Sequence, residues 1–92
     1  MVSLKTVDGT ILECDSVIKG NAYPFLHINT GISMQDAIQI FTPENAETLI
    51  ASDGKRPDRE YHGFTEIVSI QRSPLFQGDI LIMLQRPQNY AD

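Results

Sequence analysis

The residues of this sequence that could do chemistry are few, with one cysteine, Cys14, and two histidines, His27 and His62. Nucleophilic catalysis needs a thiol or hydroxyl beside a histidine base that a carboxylate orients. Cys14, Asp15 and the histidines supply these residue types, yet no catalytic signature surrounds them. In EYHGF, residues 60–64, His62 stands beside aromatic residues, which is more typical of a half-buried strand position than of a general base. The sequence therefore predicts no catalytic residue.

A metal or phosphate site is not indicated either. Cys14, His27 and His62 lack the tight ligand spacing of HxxxH or CxxC. Gly20 and Gly31 each occur alone, outside the phosphate-binding patterns GxxxxGK[ST] and GxGxxG. The turn at Gly31 precedes a helix start and could hold an anion, but a plain strand-to-helix turn is the favoured interpretation. We expect no metal and no cofactor, and we interpret Cys14 as a small, inert strand residue.

Length and composition describe one small globular domain. The chain has 92 residues, of which 41% are hydrophobic and 21% charged. A domain of this size buries only about 60–65% of its unfolded surface. Modest stability is expected unless copies of the chain associate, so a homo-oligomer is predicted.

The charge balance argues against nucleic acid as a partner. Twelve acidic and seven basic residues give a net charge of −5. Lys55, Arg56 and Arg59 form the main basic cluster, and nearby acidic residues dilute it. This segment is interpreted as a solvated loop.

The sequence also indicates a compartment. A single cysteine excludes an internal disulfide, and neither an apolar leader segment nor a run of 18 apolar residues is visible. We expect a cytoplasmic protein with no membrane partner.

The first half of the chain predicts three strands followed by a helix. Asp8-Gly9 is expected to form a type I′ hairpin turn, and Pro24 suits a sheet edge or a strand start. Ser33 is expected to cap the helix, and Pro43 to end it. Its apolar stripe, which must pack on a sheet, comprises Met34, Ala37, Ile38 and Phe41.

The second half predicts three more strands. AETLIAS is short, REYHGFTEIVSIQR is long with a possible structural bend at Gly63, and GDILIMLQR closes the set. Residues 86–92 are expected to form a loose tail. The order β-β-β-α-β-β-β gives an α+β domain over residues 1–92, mainly antiparallel, with about six strands. They are expected to roll into a small barrel or a sandwich with one short helix.

Aromatic and apolar residues outside the core are the candidates for contacts with partners. Leu75 and Phe76 lie at the tip of SPLFQG, where they are poorly placed for their own core. The alternative is that this hairpin folds back over the end of the barrel. Tyr61 and Phe25 are further candidate interface residues.

The run from Ser33 to Arg86 resembles a pattern in small proteins of bacteriophages and prophages of Gram-positive hosts, which are often encoded near virion and tail genes. There, a short helix is followed by a proline-containing break, matched by Phe41 and Pro43. A short strand, a "Y-x-G-[FY]-T" entry and two closing strands come next. The entry is matched by Tyr61, Gly63, Phe64 and Thr65. The resemblance implies a phage-derived, non-enzymatic protein in the host-cell cytoplasm, with association with the virion as a further implication.

Three functions follow as hypotheses. The leading one is a virion- or tail-associated structural or assembly component that acts through protein–protein contacts and self-association. The alternative is a small acidic inhibitor or ligand-sequestering protein with one acidic face formed by Glu13, Asp15 and Glu66. A small hydrolase that uses His62 or Cys14 ranks below both.

Overall fold

A computed structural model describes residues 1–20 and 25–88 of the chain. These residues form β1 Val2–Lys5, β2 Ile11–Lys19, β3 Phe25–Thr30, α1 Met34–Ile40, β4 Thr48–Ser52, β5 Arg59–His62, β6 Glu66–Arg72 and β7 Ile80–Gln85. The seven strands lie in one sheet in the order β5-β4-β1-β2-β3-β7-β6, and all pairings are antiparallel. The predicted α+β architecture, mainly antiparallel with one short helix, is confirmed.

The number of strands and the closure of the sheet differ from the prediction. The segment expected to be one long strand with a bend is two strands, β5 and β6. Between them Gly63 has a φ of +82°, which takes the chain out of extended geometry. β5 and β6 form the two edges of the sheet and are not hydrogen-bonded to each other. The sheet is therefore not closed, and the predicted barrel is not confirmed.

Strand β2 is the long central strand on which the sheet turns. β1 pairs with its first half, from Ile11 to Cys14, and β3 pairs with its second half, from Cys14 to Lys19. The register shifts between Cys14 and Ser16, so Asp15 is the extra residue of a bulge. A bulge bends its strand and increases the local twist, and this one directs the two halves of the sheet in different directions.

The sheet curls far enough for distant strands to touch. Arg59 of β5 donates from Nη1 to the carbonyl oxygen of Val17 in β2 at 3.4 Å. Arg86, just after β7, donates from Nε to the carbonyl oxygen of His62 in β5 at 2.8 Å. Neither of these hydrogen bonds joins neighbouring strands. The sheet therefore curls around a core, although its two edge strands are not hydrogen-bonded to each other.

The core consists of side chains at alternate positions of the strands, with three aromatic rings, those of Phe41, Tyr61 and Phe64. A fully buried leucine or isoleucine contributes about 1.5–3 kcal/mol, so this set supplies most of the driving force for folding. The largest fully buried side chains are Phe41, Phe64, Leu4, Leu26, Ile28, Leu49, Ile82, Leu84, Val17, Thr30 and Cys14.

Helix α1 begins as predicted, because the hydroxyl group of Ser33 accepts a hydrogen bond from the Asp36 amide at 3.0 Å. The predicted apolar stripe is only half buried. Ala37 and the capping residue Phe41 are in the core, whereas Met34 and Ile38 are 42% and 59% exposed. A helix of only two turns contacts the sheet through few residues, and Met34 and Ile38 lie to one side of this contact.

The connection between β1 and β2 also differs from the prediction. Gly9 has a φ of +91°, but no non-glycine residue among those described has a positive φ. A type I′ turn needs a positive φ at both central residues, so Asp8-Gly9 does not form one. The loop is wider and is closed by the Thr6 amide, which donates to the carbonyl oxygen of Thr10 at 2.9 Å. The prediction that concerns Pro24 falls outside the described residues.

Candidate functional site

His62 lies in a row of hydrogen-bonding side chains on the β4–β5 hairpin. Its Nδ1 is 3.4 Å from the hydroxyl oxygen of Thr48, and its Nε2 is 3.2 Å from a carboxylate oxygen of Glu60. Thr48 is paired directly with His62 across the hairpin, and Glu60 is two residues away on the same face of β5. A hydroxyl, an imidazole and a carboxylate therefore stand in the order that nucleophilic enzymes use.

The setting of this row does not suit nucleophilic catalysis. The side chains of His62 and Glu60 are 51% and 59% exposed, so water competes for each of their hydrogen bonds. The contact to Thr48, at 3.4 Å, is long for a hydrogen bond between a hydroxyl and an imidazole. The arrangement is that of cross-strand neighbours on an open sheet face.

The other predicted chemical residues are not brought to His62. Cys14 is fully buried, and this burial raises the pKa of its thiol to about 11. His27 is half-buried in β3, paired with Ile18 and with Met83, on the opposite face of the sheet from Cys14. The cysteine and the two histidines therefore form no joint site.

The residues of the family-like entry form a packed corner. The amide of Gly63 donates to the carbonyl oxygen of Glu47 at 2.9 Å. The rings of Tyr61 and Phe64 meet edge to face, with centroids 6.2 Å apart and planes at 78°. Tyr61 is 8% exposed, so its ring belongs to the core rather than to a surface. These residues have a structural role in the corner.

Phe64 also attracts two cations at this corner. The guanidinium of Arg86 is 4.8 Å from the centre of its ring, and the ammonium of Lys19 is 5.9 Å away. Both distances allow cation–π attraction. The start of the segment expected to be a loose tail is thus attached to the domain at Arg86, while residues 89–92 lie outside the described residues.

The loop between β6 and β7 folds back toward the sheet at its base and exposes its tip. The hydroxyl group of Ser73 donates to Asn29 Oδ1 at 2.6 Å and accepts from the amides of Leu75 and Phe76. Phe76 is half-buried, whereas Leu75 is 73% exposed. Phe25, the remaining candidate interface residue, is half-buried in β3. Of the four predicted interface residues, Leu75 is therefore the one with a largely free side chain.

A groove lies between the start of α1 and this loop. Its volume is about 490 Å³, and its walls combine apolar, charged and amide side chains. The lining residues are Met34, Arg72, Ser73, Gln77, Gly78, Asp79 and Ile80. Ile38, four residues after Met34 on α1, and Leu75, between Ser73 and Gln77 in the loop, are exposed as well. This groove is the candidate functional site.

One wall of the groove includes Asp79, whose carboxyl group interacts with that of Asp15. Asp79, just before β7, lies against Asp15, the bulge residue of β2. A hydrogen bond with Asp15, burial and the charge of Asp15 all raise the pKa of Asp79. Oδ2 of Asp79 is shielded from solvent and has no protein donor. Two ionised carboxylates offer no donor to each other, so a hydrogen bond between Asp15 and Asp79 requires a proton on one of them.

The sequence predicts neither the Asp15–Asp79 pair nor the Thr48–His62–Glu60 row. Asp15 and Asp79 are far apart in the chain, and Asp15 is the bulge residue of β2. The Thr48–His62–Glu60 row depends on the register of β4 with β5. The i, i+2 spacing of Glu60 and His62 is the one signal that could have indicated a shared face.

Within the described residues, no group of three or more histidine, cysteine or acidic side chains is arranged to hold a metal ion. No helix in this part of the chain has the length and apolar character needed to cross a membrane. Comparisons with protein-family models, curated proteins and solved structures found no match.

Proposed function

We propose that this protein is non-enzymatic and acts through contacts with other proteins, as a self-associating structural or assembly component. The observation that carries this proposal is the exposed apolar surface around the groove. Met34 lines the groove and is 42% exposed, and Ile38 and Leu75, on the two elements that supply lining residues, are 59% and 73% exposed. Single exposed apolar residues are ordinary, but several of them on the elements that form one groove are typical of an interaction surface.

The phage setting comes from the resemblance. The run from Ser33 to Arg86 includes both walls of the groove, α1 and the β6–β7 hairpin. A virion- or tail-associated role, with synthesis in the host-cell cytoplasm, is therefore the form of the proposal that agrees with both lines of argument. The small size of the domain supports self-association as well, since contact with further copies would add to a limited core.

Native mass spectrometry of the purified chain, over a wide range of concentrations, tests this function. A discrete oligomer of bare protein is the expected result. A monomer at every concentration would contradict self-association. A monomer or dimer that carries additional mass would favour the second candidate instead.

The second candidate is a small acidic protein that inhibits or sequesters a cationic partner. The contact between Asp15 and Asp79 favours it, because an ammonium or guanidinium group could replace the shared proton. The acidic face expected from the sequence is divided, however. Glu66 accepts a hydrogen bond from Gln85 at the far end of β7 from Asp79. A cationic ligand would thus meet Asp15 and Asp79 without Glu66.

The hydrolase hypothesis depends on the exposed row at His62. If the row were catalytic, His62→Ala would abolish turnover of an activated ester without a change in melting temperature. We expect instead no turnover above the level of a denatured sample.

A further inference from the structure

We draw no further inference here: the strongest candidate, the groove between the start of α1 and the β6–β7 loop with the exposed apolar side chains of Met34, Ile38 and Leu75 on those two elements, is a surface for which nothing in the structure of the described residues shows what covers it.

Discussion

The carboxyl group of Asp79 lies against that of Asp15, at the corner where the central strand of the sheet bends. Asp15 is the bulge residue of β2, and Asp79 lies just before the first residue of β7. The contact raises the pKa of Asp79 above its ordinary value of 3.8. The native fold therefore favours a proton at this site, and its stability depends on pH.

Asp79→Asn should stabilise the protein at neutral pH. A group with a raised pKa in the folded state contributes stability that is complete below its unfolded pKa and is lost as pH rises through the folded pKa. Asparagine mimics the protonated acid at every pH, so the wild type should fall behind the variant as pH increases. The gain in the free energy of unfolding at neutral pH should be about 1 kcal/mol, because the variant no longer has a shielded carboxylate oxygen without a hydrogen-bond donor. Urea unfolding at acidic and neutral pH measures it.

The control for this prediction is Asp58→Asn, which removes a carboxylate from an exposed loop. It should leave the pH dependence of the wild type nearly unchanged. A variant at Asp79 that is less stable than the wild type at neutral pH would show that the ionised carboxylate is the favoured form.

Gly63→Ala should destabilise the protein more than Gly54→Ala. Both glycines have positive φ, +82° and +76°, which costs about 1 kcal/mol for a residue with a side chain. An added Cβ at Gly54 meets open space, whereas Gly63 is buried at the packed corner beside Phe64. A β-branched residue, as in Gly63→Val, should cost more still.

His62→Ala provides the comparison, since this side chain is half exposed and should change the melting temperature little. Equal decreases in melting temperature for Gly63→Ala and His62→Ala would contradict the structural role of the glycine. Thermal unfolding of all four variants decides the matter.

The sequence predicts well those features that depend on neighbours along the chain. The Ser33 cap needs only an amide three residues away, and the α+β class follows from strand patterns separated by short turns. The sequence predicts a bend at Gly63 rather than two separate strands, because the alternation of apolar and polar residues cannot distinguish a bent strand from two strands. The exposed flank of α1 depends on the angle of the helix against the sheet, which no sequence period encodes.

The candidate site depends on long-range geometry, and this is why it could be predicted only in part. Leu75 was recognisable because an apolar residue at a turn has no obvious place in its own core. Met34, on the other wall of the groove, is predicted to be in the core, since an apolar stripe on a helix is ordinarily buried. The Asp15–Asp79 interaction involves the bulge residue of β2, and bulges leave no reliable pattern in a single sequence.

Cys14 should resist alkylation in the native protein. Burial raises the pKa of its thiol to about 11, so almost none of it is thiolate at mildly alkaline pH, and the side chain is fully shielded. Iodoacetamide labelling, followed by mass spectrometry, should be slow in buffer and fast in denaturant. Rapid labelling of the folded chain would reopen the question of a reactive cysteine.

Asn45→Ala should destabilise the protein and loosen the loop between β1 and β2. Asn45 is 9% exposed, and its side chain links two elements by accepting from the Asp8 amide at 2.8 Å and donating to the Ile40 carbonyl oxygen at 2.7 Å. Alanine leaves both of these groups without their protein partner, which costs about 1–3 kcal/mol where water cannot replace it. Gln39→Ala, an exposed change on α1, should stay within about 0.5 kcal/mol of the wild type. Amide hydrogen exchange should show faster exchange at Asp8 in Asn45→Ala alone, and unchanged protection there would mean that the loop between β1 and β2 is ordered without Asn45.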